Sequence, residues 1–546
     1  MAANEQHRRR EEEHSAAQLL PNSNGTSPAN GKTSDRPPGA DLELGSFGGG
    51  GTQTALQRQL LKPFANTITA AGKHNATQQP PEAAHDTVSP SLTLFLAVFG
   101  AILGGLSMGL ALGYTAPAFL DMERENERAS LQNKTSVNVL DLDKSIREHQ
   151  KGLIGSSMAI GALVAALANE PCNKIFGRRI PLLFSGGPFL LGWLLIAFAE
   201  QSIVMMVTGR VLLGACSGVA CASAPTYVVE IAPPKSRGLL GTTFQLMVVV
   251  GNLVAAIAGM FLTWRQLALL FLSPAVLMTL IMFFMPESPA WLLNKSRRSQ
   301  AKAALQRLRS GPIEAEFERM SANSTATSKS PSPGPENLPL EYNCDTFTSR
   351  EFCRPLLLTL GLMLFQQFSG INAVLMYQGD IFKKAAPDSD ALLSTVWVCL
   401  AQVIATLVCS SLIDKLGRKI LLFASAIGLM GSLFVFGLYS HFSESNRAIQ
   451  QDYALVPLIS LILFMTFFSL GFGPIPWLMA PELASPRMRS LIASFGACFA
   501  WSGAYLVTAT MKPLIELVGD AGTYWLFSAL CATSCFLIAA LPETKA

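Results

Sequence analysis

Charged residues are scarce in this 546-residue sequence. Asp, Glu, Lys and Arg make up 14% of it and hydrophobic residues 50%, whereas an average soluble protein carries about 25% charged residues. The histidines all lie outside the long hydrophobic segments, at His7, His14, His74, His85, His149 and His441. This placement argues against a histidine proton relay through a membrane.

Clusters of reactive side chains are also missing. The ten cysteines fall in apolar segments or in basic loops, without the spacing of metal ligands. We therefore expect no metal, no disulfide framework and no cofactor. No histidine, thiol cluster or paired carboxylate reaches the hydrophobic segments, so an enzyme is not expected either.

The first 90 residues differ in composition from the rest of the chain. They contain RRREEE (Arg8–Glu13), GGGG (Gly48–Gly51) and many Asn, Ser and Pro residues, with too few apolar residues for a core. No apolar segment follows the first basic residues, so a secretory signal is not indicated. We expect residues 1–90 to be a disordered cytoplasmic tail.

From Ser91 onward, twelve apolar runs approach the ~17–25 residues that cross a bilayer as a helix. They lie at about 91–114, 152–168, 181–199, 203–229, 239–262, 266–285, 355–378, 391–413, 420–440, 453–480, 490–511 and 523–541. The pattern predicts an all-α membrane protein of twelve transmembrane helices. An even number of spans places both termini on one side.

Basic residues predict which side that is. They concentrate in the loops after the second, fourth, sixth, eighth and tenth runs, at Arg178-Arg179, Lys235/Arg237, Lys295–Arg309, Lys415/Arg418/Lys419 and Arg487/Arg489. Basic loops stay in the cytoplasm, so both termini are expected there. The loop 118–151 carries the glycosylation sequon at Asn133, which suits an outside loop.

The second half of the chain repeats signatures of the first half. FGRR at 176–179 matches LGRK at 416–419, each after the second run of its half. Glutamate and arginine recur seven residues apart after each fourth run, and PES at 286–288 matches PET at 542–544. We predict two six-helix repeats, 91–285 and 355–541, joined by a cytoplasmic linker with short helices, 286–354, and followed by a short cytoplasmic C-terminus, 542–546. Parallel repeats of this kind place a solute site between the halves.

The stretch Gln366–Tyr377, QQFSGINAVLMY, lies in the first apolar run of the second half and places amides at bilayer depth. Buried amides are costly unless polar groups meet them. Ser369-Gly370 offers a point where the helix can unwind and direct Gln367 and Asn372 into one cavity. Uncharged amides around a broken helix suit a neutral, hydroxyl-rich solute. The alternative is that these amides bond neighbouring helices to one another.

The motifs resemble those of the sugar porter family of the major facilitator superfamily from about Ser91 to the end of the chain. They are GRR (177–179), PTYVVEIAPPKSRG (225–238), PESPAWLL (286–293), QQFSGIN (366–372), DKLGRK (414–419), SLGFGPIPWLMAPE (469–482) and PETK (542–545). Within the family the chain is most similar to the insect facilitated trehalose transporters and next to the facilitative glucose transporters. The resemblance implies the major facilitator fold.

The resemblance also implies a set of sugar contacts. By position these are Gln245, Gln366, Gln367, Asn372, Gln402 and Trp477, together with Trp501 beside a position where the glucose transporters have asparagine. That position is Ala500 here, and an acid near the bend of the tenth span is replaced by Ser469. Both departures favour a saccharide other than glucose or a different pocket shape.

Charged residues at the cytoplasmic ends of the helices are candidates for a gate between the halves. They are Arg178, Arg179, Glu230, Arg237, Asp414, Arg418, Glu482 and Arg489. Ion pairs that join the halves in one state and part in another would form a switch. The alternative is that these residues serve membrane topology alone.

The resemblance implies a facilitative uniporter that works by alternating access in the plasma membrane. The expected partners are a neutral saccharide, trehalose or a hexose, and the lipid bilayer, with no nucleic acid; oligomeric state is left open. Two alternatives remain. A proton-coupled symporter would need an acid near the first span, yet residues 91–116 contain no charged residue. A non-transporting sugar sensor would use the N-terminal tail for signalling.

Overall fold

The computed structural model describes residues 89–132, 138–141, 143–233, 236–328, 348–387, 390–485 and 488–542. The predicted tail up to residue 88 and the Asn133 sequon therefore lie outside the described residues. Nearly everything that is described is helix.

Seven helices form the first half where the structure describes it. They are α1 Leu92–Gly113, α2 Thr115–Leu131, α3 Lys144–Phe176, α4 Arg179–Ala197, α5 Ile203–Ile231, α6 Arg237–Ala258 and α7 Trp264–Phe284. The short helix α2 continues the first span beyond Tyr114, and the two together run from Leu92 to Leu131. Six membrane-length segments result.

Short helices between the halves pack around a small core of their own. They are α8 Pro289–Asn294, α9 Arg298–Leu308 and α10 Glu314–Ser328. Trp291, Leu305 and Phe317 are buried in this core. Arg309–Ser310 (β2) pairs in an antiparallel manner with Ser89–Pro90 (β1), immediately before α1. We call the end of the helical bundle that carries these elements the linker face, and the opposite end the distal face.

Eight helices are present in the described part of the second half. They are α11 Arg350–Phe368, α12 Ile371–Ala385, α13 Ala391–Leu416, α14 Arg418–Ser445, α15 Arg447–Asp452, α16 Val456–Leu470, α17 Ile475–Leu483 and α18 Arg489–Ala540. Helix α18 is interrupted at Gly519, which has φ 77° and ψ 170°. Because its 52 residues exceed what one bilayer crossing needs, α18 supplies two spans.

The twelve predicted spans are confirmed. The described residues contain eleven continuous segments that are long and apolar enough to cross a membrane, and the last is the double span of α18. The packing between the halves follows the repeat. Helix α3, the second span, packs against the eleventh span in α18, while α6, the fifth span, packs against α13, the eighth. The second and eighth spans are equivalent positions of the repeat, and so are the fifth and eleventh. The two contacts between the halves are therefore equivalent, as a parallel repeat requires.

Candidate functional site

The seventh span breaks at the predicted place. Gly370 lies between α11 and α12 with φ +85° and ψ 7°, a left-handed conformation that favours glycine. The hydroxyl of Ser369 donates to the carbonyl of Gln366 at 2.7 Å. A methyl group added at Gly370 would lie 2.8 Å from Cδ2 of Phe527. Backbone conformation and close packing therefore both require glycine at the break.

Three amides around this break form one hydrogen-bonded chain. Asn372 donates through Nδ2 to Oε1 of Gln367, and Gln367 donates through Nε2 to Oε1 of Gln366 at 3.4 Å. The Nε2 of Gln366 then donates to the carbonyls of Phe472 at 2.7 Å and Gly473 at 3.0 Å. Those two carbonyls lie where the tenth span is interrupted between α16 and α17. The chain thus joins the breaks in the seventh and tenth spans.

The three amides are not equivalent. Both Nε2 protons of Gln366 are used by backbone carbonyls in the break between α16 and α17, so its side chain stabilises the interrupted tenth span. Gln367 and Asn372 bond to side chains only, and Asn372 is half-buried. A solute hydroxyl can replace such an amide–amide bond without leaving a backbone group unsatisfied.

A cavity of about 30 Å³ lies between the halves beside Asn372. Its wall comes from both halves and consists of Leu112, Thr115, Gly155, Met158, Ala159, Arg210, Asn372, Leu375, Met376, Trp501, Ala504 and Thr508. This volume is about that of one water molecule. Of the predicted sugar contacts, Asn372 and Trp501 line the cavity.

The remaining predicted contacts lie around this centre. Gln245 is half-buried on α6, and Gln402 is buried on α13, which packs against α6. The Oε1 of Gln402 has no hydrogen-bond partner among the described residues. Trp477 on α17 packs against a small buried cluster formed by Met363, Ala480 and Ala500. The structure does not gather all seven residues around one cavity, and their role in sugar binding stays a prediction.

Arg210 is the buried charge nearest to the site. Its Nη1 donates to the carbonyl of Ala111 at 2.6 Å and its Nε donates to that of Ile154 at 3.4 Å. Among the described residues no carboxylate forms an ion pair with its guanidinium group. The charge is therefore solvated by backbone carbonyl dipoles of the first and second spans, and these bonds add rigidity to the cavity wall.

Three of the predicted gate residues of the first half, Arg178, Arg179 and Glu230, form a cluster at the linker face. The Nε of Arg178 lies 3.2 Å from Oε1 of Glu230. The backbone N–H groups of Arg178 and Arg179 donate to the Glu287 carboxylate, as does that of Ser288. Desolvation by burial raises the pKa of the Glu287 carboxyl, while these three donors act in the opposite direction. The cluster fixes the start of α4 against the end of the first half.

A smaller cluster lies at the corresponding place in the second half. The Nη2 of Arg418 lies 3.5 Å from Oε1 of Glu482, and both belong to the second half. The side chains of Arg237, Asp414 and Arg489 lie outside the described part of the chain. Where both partners are described, no ion pair at the linker face joins one half to the other. A gate at this face stays a prediction for the state in which the face is closed.

Charged residues at the distal face were not singled out by the sequence reasoning. Lys151 at the start of the second span contacts Asp380 of the seventh span at 2.9 Å, and Lys512 contacts Glu148 at 2.5 Å. Both pairs join the two halves. The signal in the sequence was weak, because each residue lies at the edge of an apolar run and its partner is more than 200 residues away.

Comparisons with known proteins agree with this architecture. The family model described as "Sugar (and other) transporter" matches residues 96–546. The facilitated trehalose transporter Tret1 of Apis mellifera ligustica is 36% identical over 433 residues, which are 79% of this chain and 82% of that protein. The protein of the same name from Anopheles gambiae is 33% identical over 486 residues, 88% of this chain but 58% of that longer protein.

Solved structures show the same fold. The xylose transporter XylE from E. coli, in a partially occluded inward-open conformation, superimposes with a TM-score of 0.66 at 21% identity, covering 84% of this chain and 99% of that one. XylE bound to 6-bromo-6-deoxy-D-glucose gives a TM-score of 0.65 at 22% identity, covering 83% of this chain and 96% of that one. The major facilitator fold expected from the sequence is therefore confirmed. With its family model matched over four-fifths of its length, this chain belongs to the sugar (and other) transporter family, whose members are membrane transporters and not enzymes.

Proposed function

We propose that this chain is a facilitative uniporter that carries a neutral saccharide, trehalose or a hexose, by alternating access. The observation that carries the proposal is the amide pair Gln367–Asn372 at the helix break, beside a cavity walled by both halves. Neutral hydrogen bonds of about 0.5–1.5 kcal/mol each bind a polyol weakly enough to release it on either side. The relatives named facilitated trehalose transporters support this choice of substrate.

The proposal assigns separate tasks to the candidate residues. Gln367, Asn372 and Trp501 contact the sugar first, because they lie at or beside the cavity. Gln245, Gln402 and Trp477 complete the site when the halves move, and the unpaired Oε1 of Gln402 suits a sugar hydroxyl. Gln366 holds the bend in the tenth span that positions the others.

We further propose that residues 91–285 and 355–541 are the two moving bodies, with the linker face in the cytoplasm and the distal face outside a plasma membrane. Basic residues at the linker face, such as Arg179, Arg307 and Lys419, support this orientation. With this orientation, the ion pairs between the halves at the distal face support an inward-facing state. In the opposite state the cytoplasmic groups would close the linker face.

A proton-coupled symporter is the second candidate, since one structural neighbour is titled a D-xylose-proton symporter. Coupling needs a titratable group whose charge changes during the cycle. Residues 91–116 have no such group. The acids further along the first span lie at the distal face, where Asp121 accepts from the backbone N–H of Trp264 and Glu123 pairs with Lys151. Arg210 is met by backbone carbonyls instead of a carboxylate. Uniport is therefore the better-supported mechanism. A sugar sensor, the third candidate, would bind sugar without flux.

Uptake of labelled trehalose and glucose into proteoliposomes, with and without a pH gradient, tests the proposal. We expect flux that ends at equal inside and outside concentrations and that ignores the gradient. Gln367→Ala should reduce it at least tenfold with unchanged insertion, since the variant removes an amide bonded only to side chains. Accumulation driven by an inward proton gradient would contradict uniport, and sugar binding without flux would indicate a sensor.

A further inference from the structure

Among the described residues, four ion pairs join the two halves at the distal face. Lys151 pairs with Asp380 at 2.9 Å and Lys512 with Glu148 at 2.5 Å. Lys383 lies 3.3 Å from both Glu123 and Glu127. We call this group the distal cluster, and every pair in it has one partner in each half.

Lys151 is the centre of the distal cluster. Its side chain is 1% exposed, although lysine is almost never fully buried unless paired. Its Nζ lies 2.5 Å from Oε1 of Glu123 in its own half and 2.9 Å from Oδ2 of Asp380 in the other. Its ammonium group also lies 5.8 Å from the centre of the Phe119 ring. The charge is thus enclosed by partners that belong to both halves.

Close packing around Lys151 shows that the halves meet tightly here. A methyl group added at Gly155, one helical turn below Lys151, would lie 1.7 Å from Sδ of Met376 in the other half. One added at Gly379, next to Asp380, would lie 2.6 Å from Cδ1 of Leu120. Separating the halves at this face therefore exposes Lys151 and removes Asp380 from its only described ion-pair partner.

We propose that the ion pair between buried Lys151 and half-buried Asp380 is a latch that holds the distal face shut and sets how often the transporter opens outward. The proposal rests on alternating access between the halves. The contact between Lys151 and Asp380 exists only while the distal face is shut, so replacing Asp380 by a neutral residue removes an attraction from the closed state alone and favours the open state. Glu123 stays with Lys151 when the face opens, which keeps the lysine charge paired in both states and leaves Asp380 as the partner that changes.

Labelling from outside measures this equilibrium without any sugar. Thr508 lines the central cavity, and its hydroxyl bonds only within its own helix, to the carbonyl of Ala504. A Thr508→Cys variant therefore reacts with a membrane-impermeant thiol reagent added outside only when the distal face opens. The parent chain with its native cysteines supplies the background rate, which is subtracted.

Asp380→Asn in the Thr508→Cys background should increase the labelling rate roughly tenfold. This is less than losing one partner of a fully buried pair would give, because Asp380 is 17% exposed and Lys151 keeps Glu123 and Glu148 as partners. The matched control is Asp520→Asn. Asp520 is 16% exposed and Asp380 17%, both lie at the distal face, and the Lys384 partner of Asp520 is in the same half. The control should leave the labelling rate unchanged.

Lys151→Met, and the double variant that combines it with Asp380→Asn, complete a double-mutant cycle of labelling rates. If the two residues act as one latch, the increase in the labelling rate of the double variant is well below the product of the single increases.

Lys383→Gln is the alternative variant if a substitution at a buried position prevents membrane insertion. Lys383 is half-exposed, and its loss still removes two ion pairs between the halves. We expect a rise of about twofold to threefold for that weaker, solvent-screened site.

Unchanged labelling in both Asp380→Asn and Lys383→Gln, at normal surface amounts, would overturn the latch, as would an equal rise in Asp520→Asn. Labelling and sugar flux together distinguish a failure of the latch from a failure of the proposed function. Sugar flux in the parent with no change in labelling refutes the latch alone. Faster labelling in Asp380→Asn with no flux of any tested sugar supports the latch and refutes the transport proposal.

Discussion

Replacing Gln366 by alanine should destabilise the fold more than it weakens sugar binding. The amide donates to two carbonyls at the interruption of the tenth span, Phe472 at 2.7 Å and Gly473 at 3.0 Å. Hydrogen bonds between membrane helices contribute about 0.6 kcal/mol on average and up to about 1.7 each. Loss of both bonds should cost about 1–3 kcal/mol and leave two buried carbonyls without these donors.

Gln367→Ala is the matched control, because the same residue type lies one position along and bonds only to the side chains of Gln366 and Asn372. Thermal unfolding in detergent should show the larger loss for Gln366→Ala, while a sugar-binding titration should show the larger loss of affinity for Gln367→Ala. Equal losses in both assays would refute the division of roles. The reverse order would mean that Gln366 is the sugar contact.

Three further predictions concern single side chains. Gly370→Ala should cost at least about 1–2 kcal/mol of stability because its φ is +85°, whereas Gly431→Ala, with open space around its Cβ, should be neutral or stabilising in the same unfolding assay. Tyr227→Phe removes a buried bond to the carbonyl of Pro286 and should lower stability by about 1 kcal/mol while sugar flux is kept. Arg210→Lys should reduce flux without making it sensitive to a pH gradient, since carbonyls and not an acid hold this side chain; a new pH dependence would contradict that assignment.

Local patterns predicted the parts of the structure that depend on local chemistry. Run lengths predicted twelve spans, including the two that merge in α18, because bilayer thickness imposes helix length directly. The Ser369-Gly370 pair predicted the helix break, because glycine adopts a left-handed conformation at little cost. Matching signatures in the two halves predicted the repeat seen in the packing of the second span on the eleventh.

Partners distant in sequence were not predicted. Neighbouring Gln366 and Gln367 look alike in the sequence, and only the position of Phe472, 106 residues further on, separates their roles. Lys151 and Asp380 are 229 residues apart, and neither carries a pattern that identifies the other. The pairing of carboxylates with lysines or arginines depends on how the helices pack. The lengths and spacing of the apolar runs contain no information about this packing.

Counterflow tests the central claim most directly. Proteoliposomes loaded with unlabelled trehalose and diluted into a trace of labelled trehalose, at equal pH on both sides, should show a transient accumulation of label. Repeating the measurement with glucose identifies the preferred sugar. Asn372→Ala should abolish the accumulation while the protein remains inserted. An absence of counterflow with both sugars, or accumulation that appears only with a proton gradient, would contradict facilitated transport by alternating access.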